Sequence, residues 1–99
     1  MTMPNISFSD KCQRHLEFIE AFMGKRLMKH VIRNTNVMDQ EFCGALCFME
    51  HNCVSFNLMT TSETGKHKCE LNNATHKEQE EDLEENPNYE YHGAKVRGS

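Results

Sequence analysis

The stretch of sequence that predicts the fold is residues 39–58, DQEFCGALCFMEHNCVSFNL. Apolar residues in its first half recur at spacings of three and four, the period of a helix with one buried face. They are Phe42, Cys43, Leu46, Cys47 and Met49. Asp39 stands just before them and can accept backbone N–H bonds as an N-cap. Residues 54–58 alternate apolar with polar side chains, which is typical of a strand with one buried face. A helix over about residues 39–50 and a strand over 54–59 are therefore predicted.

The segments on either side of this stretch predict further strands. Residues 18–34 contain two short apolar runs, which predict two strands joined near Gly24. Turn-forming residues around Gly65 follow the strand over 54–59. They predict a hairpin in which that strand pairs with a short strand over residues 68–71.

An acidic segment precedes the last predicted strand. Residues 76–86 carry six acids against one lysine and predict a solvated helix or loop, and a closing strand follows over residues 88–92. The predicted fold class is α+β, with one main helix packed on a curved antiparallel sheet. The predicted core consists, besides the cystines, of Phe42, Leu46, Val54, Phe56, Leu58 and Leu71.

The composition is that of one small globular domain. The chain has 99 residues, 37% hydrophobic and 26% charged, with a net charge of −4. Because nucleic-acid phosphates repel an acidic chain, no nucleic-acid partner is predicted. No run of 18 apolar residues is present, so no membrane insertion is predicted. We predict a loose lead-in over residues 1–11, a domain over 12–93, and a C-terminal tail or cloning remnant over 94–99.

Five cysteines, four of them between Cys43 and Cys69, indicate covalent reinforcement. A domain this small buries a modest fraction of its surface, so its core alone leaves it marginally stable. Disulfides persist in oxidising compartments, and the N-terminus lacks the features of a signal peptide. We therefore expect an extracellular fragment of a larger secreted or cell-surface protein. Several two-bridge pairings are open, and spacing does not choose among them.

Zinc is the alternative use of these cysteines. Cys43, Cys47 and His51 are four residues apart along the predicted helix and could present three ligands on one face. Three further ligand types lie nearby in the sequence, at Cys53, His67 and Cys69. Structural zinc sites more often use ligand pairs on short turns, typically C-x2-C, and no such pair is present. The favoured interpretation is disulfides without a metal, and a zinc-structured intracellular protein-interaction domain is the alternative.

Five short motifs together give the chain a family resemblance. They are Gly24-Lys25-Arg26-Leu27 continuing to Val31-Ile32, Cys43-x3-Cys47, Asn52-Cys53-Val54-Ser55-Phe56-Asn57, Cys69-Glu70-Leu71-Asn72 and Tyr89-Glu90-Tyr91. In these motifs the chain resembles the PAN/apple superfamily, found in the plasminogen N-terminal region, hepatocyte growth factor and plasma prekallikrein. The resemblance implies a single helix on an antiparallel sheet and two nested disulfides, Cys43 to Cys69 and Cys47 to Cys53.

Cys12 departs from the pattern of the apple-type members. These add a bridge between an early cysteine and one near the C-terminal end, yet no cysteine follows Cys69. Three alternatives stay open for Cys12: a partner beyond residue 99, a bridge to another chain, or a free thiol. Cys12 and His15 come nearest to a nucleophile pair, but no third orienting group accompanies them. No enzyme activity and no cofactor are therefore predicted.

The resemblance implies a binding or adhesion module whose ligand is a protein or a carbohydrate. A basic stretch without acids could contact a sulfated glycan, or it could be an ordinary solvated surface. Its cations are Lys25, Arg26, Lys29, His30 and Arg33. On a strand, Lys29 and Arg33 would share one face, and Arg26 and His30 the other.

Two sequons for N-glycosylation are present, Asn5-Ile6-Ser7 and Asn73-Ala74-Thr75. Asn73 follows a predicted strand end, where a glycan would be accommodated. The acidic segment lacks the oxygen spacing and the glycine turn of a calcium loop, so no metal is predicted there.

Overall fold

The computed structural model describes residues 15–62 and 64–97, and within these residues five strands form one antiparallel sheet. In chain order the elements are β1 (His15–Leu27), β2 (Val31–Val37), α1 (Gln40–Met49), β3 (Ser55–Met59), β4 (His67–Asn72), a short 3₁₀ helix (Glu80–Asp82) and β5 (Leu83–Arg97). The strands lie in the order β1-β5-β3-β4-β2, and α1 packs against β3, β4 and β2. The predicted α+β class and the helix-on-sheet arrangement are confirmed.

Helix α1 begins where its predicted N-cap stands. Asp39 has an extended backbone, and its Oδ1 accepts a hydrogen bond from the Phe42 N–H at 2.9 Å. Such a cap stabilises a helix by about 1 kcal/mol. The helix ends at Met49, and the N–H of Glu50 still bonds to the carbonyl of Leu46 at 3.0 Å. The predicted helix over residues 39–50 is therefore confirmed.

The buried side of α1 differs from the prediction at Phe42. Cys43 and Cys47 are fully buried, because both are bonded to cysteines in or beside the sheet. A helix turns about 100° per residue, which places Phe42 about 120° from the middle of that buried side. Phe42 is consequently 52% exposed. Its assignment to the core was wrong, whereas Leu46 does pack against the core and is partly buried.

The core beneath α1 lies on one face of the sheet. Phe56, Leu58 and Leu71 are buried there as predicted. Phe18 of β1 contacts Phe56 edge-on, with ring centroids 5.0 Å apart. Val54 was also predicted to be in this core, but it precedes β3 and is only half-buried.

The opposite face of the sheet is buried as well, which the alternation in β3 did not predict. Ser55 and Asn57 are fully buried, although their polarity assigned them to solvent. Asn57 Nδ2 donates to the carbonyl of Leu27 at 2.9 Å, and Asn57 Oδ1 accepts from the Leu27 N–H at 2.9 Å. These bonds hold the end of β1 over the sheet, where Leu27, Ala74 and Tyr91 form a second apolar cluster.

Strand β1 is continuous through Gly24, where two separate strands were predicted. Gly24 has a φ of 75°, and the pairing of β1 with β5 shifts register between Met23 and Lys25. Glycine adopts this left-handed conformation readily, so β1 continues through Gly24, while the extra residues of the irregularity lie on β5 between Glu85 and Glu90. Strand β1 ends only at Leu27, and residues 28–30, where Lys29 has a φ of 75°, connect it to β2 at the other edge of the sheet.

A second register shift in β1 lies between Glu17 and Glu20. An extra residue in one strand reverses the alternation of side chains beyond it. Phe18 therefore faces α1, whereas Phe22 lies on the opposite face, stacked against Tyr91 at a centroid distance of 6.0 Å. This shift lets two phenylalanines of one strand contribute to both apolar clusters.

Strand β5 starts earlier than predicted, inside the acidic segment. The predicted strand covered residues 88–92, but pairing with β1 begins at Leu83, which packs against the second apolar cluster. Glu85 lies directly across from Lys25 in this pairing. Opposite charges at facing positions stabilise an antiparallel pair, so part of the segment predicted to be solvated is sheet.

Strand β5 also extends further at its C-terminal end. It continues to Arg97, beyond the predicted domain boundary at residue 93. The backbone of Arg97 is paired with that of His15, and the backbone of Lys95 with that of Glu17. The length of β5 is therefore set by its partner strand, a feature that composition does not reveal.

Candidate functional site

Two disulfides anchor α1 in the described part of the chain. Cys43 is bonded to Cys69 of β4, and Cys47 to Cys53 just before β3, with Cα–Cα distances of 5.7 and 5.2 Å. These are the two pairs that the resemblance implies. The zinc alternative needs these sulfurs as thiolates, which the disulfides do not leave available. Among the described residues, no three His, Cys, Asp or Glu side chains are grouped as metal ligands.

Helix α1 presents an apolar surface to solvent on the side turned away from the disulfides. Met38, Phe42, Ala45 and Met49 follow one another at spacings of four, three and four, so they line one side of the helix and of the residues before it. The exposed fractions are 64% for Met38, 52% for Phe42 and 78% for Met49. We call these four residues the α1 face. Because large exposed apolar patches often mark interaction sites, the α1 face is a candidate site.

A shallow hollow of about 440 Å³ opens at the N-terminal half of the α1 face. Three of its lining residues are apolar and two carry carboxylates. The lining residues are Met38, Asp39, Glu41, Phe42 and Ala45. None of these lining residues is basic, and the sequence has no lysine or arginine between Arg33 and Lys66. The hollow is therefore apolar and negatively charged.

Arg26, one of the cations predicted to contact a glycan, is bound in an ion pair on the other face of the sheet. Its Nε and Nη2 donate to the two carboxylate oxygens of Glu70 at 3.0 and 2.5 Å, and its guanidinium lies 4.2 Å from the centre of the Tyr89 ring. The Glu70 side chain is only 4% exposed and also accepts from Asn57 Nδ2 at 3.0 Å. The hydrogen bonds to Glu70 raise the pKa of Arg26 above its ordinary value.

Lys29 and His30 share one carboxylate, that of Asp82. His30 Nε2 lies 2.8 Å from Asp82 Oδ2, and Lys29 Nζ lies 3.6 Å from Asp82 Oδ1. The hydrogen bond from His30 is the main cause that lowers the pKa of Asp82, with the Lys29 charge adding to it. Asp82 is buried, which corrects the prediction that its whole segment is solvated.

Lys25 and Arg33 have looser ion pairs at the surface. Lys25 Nζ lies 3.5 Å from Glu85 Oε2, and Arg33 Nε lies 3.9 Å from Glu50 Oε1. Lys29 belongs to the turn before β2, so the predicted strand face shared by Lys29 and Arg33 does not form. Lys25, Arg26, Lys29 and Arg33 thus each lie beside a different carboxylate. A sulfated glycan would have to displace these carboxylates in order to bind the four cations. Glycan contact at the basic stretch stays a prediction.

Comparison with known protein families shows which family has this helix, these disulfides and this sheet. Residues 10–95 match the family model described as the PAN domain, a span that contains α1, both disulfides and nearly all of the sheet. The chain belongs to the PAN domain family. No curated protein and no solved structure gives a significant match to it.

PAN domains are in general extracellular modules that bind proteins or carbohydrates, and they are not in general catalysts. Within the residues described for this PAN domain, no helix has the length and apolar character needed to cross a membrane. The functional question for this PAN domain is therefore which of its surfaces binds the ligand.

Three modification or bonding sites predicted for this PAN domain stay untested. Asn73 is exposed directly after β4, and the buried Thr75 of the same sequon accepts a hydrogen bond from the Lys77 N–H at 3.3 Å. The exposed position agrees with the prediction of a glycan at Asn73, which stays a prediction. Asn5 and Cys12 lie outside the described residues.

One buried network of the PAN domain was not found from the sequence. His76 Nε2 lies 2.6 Å from Glu20 Oε1, and the Tyr91 hydroxyl lies 3.0 Å from His76 Nδ1 and accepts the His76 N–H at 2.8 Å. Burial raises the pKa of Tyr91, which is fully buried and out of reach of a substrate. The network fastens the loop after β4 to β1 and β5. Its members lie far apart in the chain, so spacing contained no signal for it.

Proposed function

We propose that this PAN domain is an extracellular protein-binding module of a larger secreted or cell-surface protein, and that it docks its ligand through the α1 face. The observation that carries the proposal is the exposure of Met38, Phe42 and Met49 on one side of a helix whose other side is bonded to the sheet. Covering apolar area of this kind removes it from water, which is favourable.

The free energy gained by burying the exposed side chains of the α1 face indicates how large its ligand must be. Fully burying one Met or Phe side chain is worth about 1.5–3 kcal/mol. Three such side chains together are comparable to the cost of association, which is about 4–15 kcal/mol. Stable binding therefore needs contacts beyond the α1 face, and Phe48, on the neighbouring side of the helix and 41% exposed, can extend it. A protein surface supplies such an area more readily than a small ligand.

The chemistry of the α1 face also favours a protein over a carbohydrate. Methionine is unbranched and adapts its shape to the partner, which suits contact with other apolar side chains. Carbohydrates need several hydrogen-bonding groups, and three of the four residues of the α1 face offer only apolar atoms or a weakly accepting sulfur. The fourth, Phe42, offers an aromatic ring alone.

The disulfides prepare the α1 face for binding. Cys43 and Cys47 hold the helix at two successive turns, to β4 and to the segment before β3. A surface that is already ordered loses less conformational freedom on association. The exposed methionines and Phe42 are therefore presented on a fixed backbone.

A sulfated glycan is the other ligand class that follows from the sequence. Lys29 and Arg33 are the exposed members of the basic stretch, and their ion pairs, at 3.6 and 3.9 Å, are of the surface type. Such pairs contribute about 0–1 kcal/mol, so a polyanion could compete with the carboxylates. The experiment therefore includes a variant with Lys29→Glu and Arg33→Glu.

The test is binding of the purified domain to two arrays, one of secreted and cell-surface ectodomains and one of sulfated glycans. The double variant Phe42→Ser, Met49→Ser removes apolar area from the α1 face. The matched control, Ile19→Ser with Met23→Ser, removes side chains of β1 that are 56% and 63% exposed. We expect an ectodomain ligand whose affinity falls by about tenfold or more in the α1 variant and is unchanged in the control.

Two outcomes would contradict the proposal. One is an equal loss of ectodomain binding in the α1 variant and in the β1 control. The other is a ligand found only among the sulfated glycans, with binding that disappears in the Lys29→Glu, Arg33→Glu variant. Circular dichroism and thermal unfolding of every variant ensure that a loss of binding is not a loss of folding.

A further inference from the structure

We infer that the hollow in the α1 face receives a lysine or arginine side chain of the protein ligand, an inference that rests on the proposed function. The ligand segment that fits carries a basic residue beside apolar residues. The cation enters the hollow, and its apolar neighbours cover the rest of the α1 face.

The lining of the hollow matches the two parts of a basic side chain. Met38, Phe42 and Ala45 offer apolar surface to the aliphatic stem, which Lys and Arg side chains bury along apolar surfaces. Asp39 and Glu41 line the same hollow and offer carboxylate oxygens to the charged end. The Phe42 ring adds an aromatic face, to which cations are attracted.

Among the described residues, Asp39 and Glu41 lack the ion pairs that several other acids of the domain form. In the part of the chain that the structure describes, carboxylates at ion-pair distance from a basic group include those of Glu20, Glu50, Glu70, Asp82, Glu85 and Glu90. Within residues 15–62 and 64–97, neither Asp39 nor Glu41 has such a partner. Asp39 accepts one backbone hydrogen bond through Oδ1, and a carboxylate has capacity for more.

The charge around the hollow also selects a cation. No lysine or arginine lies between Arg33 and Lys66, whereas Asp39 and Glu41 line the hollow itself. The N-terminus of α1 contributes a partial positive charge of about half a unit, which two carboxylates outweigh. The hollow therefore attracts a cationic side chain and repels an anionic peptide or an anionic membrane surface.

The inference is tested by nuclear magnetic resonance with Nα-acetyl-arginine amide as the probe. The control ligand is the citrulline analogue, which has nearly the same shape and no charge. The methyl signal of Met38 reports on the hollow, and that of Met23 on β1 serves as a reference outside it. We expect a saturable shift of the Met38 signal with arginine, and binding of citrulline weaker by about tenfold.

A pair of matched variants locates the charge that matters. Glu41→Gln keeps the size of the side chain and removes a charge from the hollow, whereas Glu85→Gln removes an exposed charge from β5. We expect Glu41→Gln to raise the arginine dissociation constant by about threefold, the size of an exposed ion pair, and Glu85→Gln to leave it unchanged. Absence of the Met38 shift, equal binding of citrulline, or equal losses in both variants would overturn the inference.

The ectodomain array separates failure of this inference from failure of the proposed function. If ectodomain binding requires Phe42 and Met49 but arginine does not bind near Met38, the inference of a basic side chain in the hollow is wrong. The proposal that the ligand docks on the α1 face then still holds. If arginine binds near Met38 but ectodomain binding is unchanged by the Phe42→Ser, Met49→Ser substitutions, the proposed function is wrong. The inference that a basic side chain of the ligand enters the hollow is then wrong as well, because it rests on that function. Analytical ultracentrifugation tests whether the domain forms a dimer through the hollow. A dimer that dissociates in the Glu41→Gln variant would mean that a second copy of the chain fills the hollow, and the inference of a separate protein ligand would then be wrong.

Discussion

At the scale of single residues, Arg26 was predicted to be a cation on a binding surface, but in the fold it has a structural role. Its sequence neighbours are basic, which predicted a binding surface. In the fold its guanidinium is bonded to the buried Glu70 carboxylate and stacked on Tyr89. A buried charge is tolerated only while it is paired. Arg26 therefore neutralises the buried Glu70 carboxylate and is not free to bind a ligand.

We predict that Arg26→Met lowers the free energy of unfolding by about 3 kcal/mol, because it leaves the Glu70 carboxylate buried without its main partner. Lys68, whose Nζ is 3.9 Å from Glu70, compensates only in part. The neighbouring Lys25→Met is the matched control, since its pair with the exposed Glu85 is worth at most about 1 kcal/mol. Urea unfolding of both variants at neutral pH measures the difference. A loss as small for Arg26→Met as for Lys25→Met would contradict this role of the Glu70 pair.

At the scale of elements, β1 shows the effect of one glycine on a strand. Gly24 was predicted to separate two strands, but it lies with a positive φ within one continuous strand of 13 residues. An added Cβ at Gly24 would meet no heavy atom within 4 Å, so any cost of a side chain there comes from the backbone alone. Gly44, in α1, has an ordinary helical backbone, and its added Cβ would lie 3.6 Å from Phe56.

The same substitution should therefore have opposite effects at these two glycines. We predict that Gly24→Ala destabilises the domain by about 1–2 kcal/mol, the cost of a left-handed conformation for a residue with a Cβ. Gly44→Ala should stabilise it by about 0.5–1 kcal/mol, because alanine loses less conformational freedom in a helix. Thermal and urea unfolding of the two variants tests this pair, and effects of the same sign would refute it.

At the scale of the whole molecule, the two disulfides differ in how much of the chain they constrain. Cys43 and Cys69 are 26 residues apart, whereas Cys47 and Cys53 are only 6 apart. In the chain-entropy description the longer loop contributes about 3.5 kcal/mol and the shorter about 2.4 kcal/mol. A domain of this size has a total stability of only about 5–10 kcal/mol, so either bridge is a large part of it.

We predict that replacing Cys43 and Cys69 by serine leaves the domain barely folded, because α1 is then released from β4. Replacing Cys47 and Cys53 by serine should leave a folded domain with a lower midpoint of urea unfolding, because the loop it opens is short. Each double variant serves as the control for the other. The reverse order of stability would show that the loop length is not what determines the contribution of these bridges.

The sequence by itself determined the features whose chemistry lies within a few residues. The Asp39 cap, the period of α1 and the hairpin of β3 with β4 were all predicted, because each depends on local spacing and turn residues. The motifs around the cysteines pointed to the PAN family, and the family match agrees. Local spacing also placed Phe42 and Met49 on α1, although it could not tell which side of the helix faces the sheet.

Only the tertiary structure decided the features that depend on distant partners. Residues Lys25 to Leu27 pair with residues Leu83 to Glu85, so β1 continues through Gly24, where a break was predicted. The end of β1 then lies over the second face of β3, where Leu27 is hydrogen-bonded to Asn57. Long-range contacts also give Arg26 the carboxylate of Glu70, and they give Lys29 and His30 that of Asp82. The disulfides set the rotation of α1, which exposes Phe42 and creates the α1 face. Contacts between residues far apart in the chain leave no periodic trace in the sequence, so the surface proposed to bind the ligand became visible only in the folded molecule.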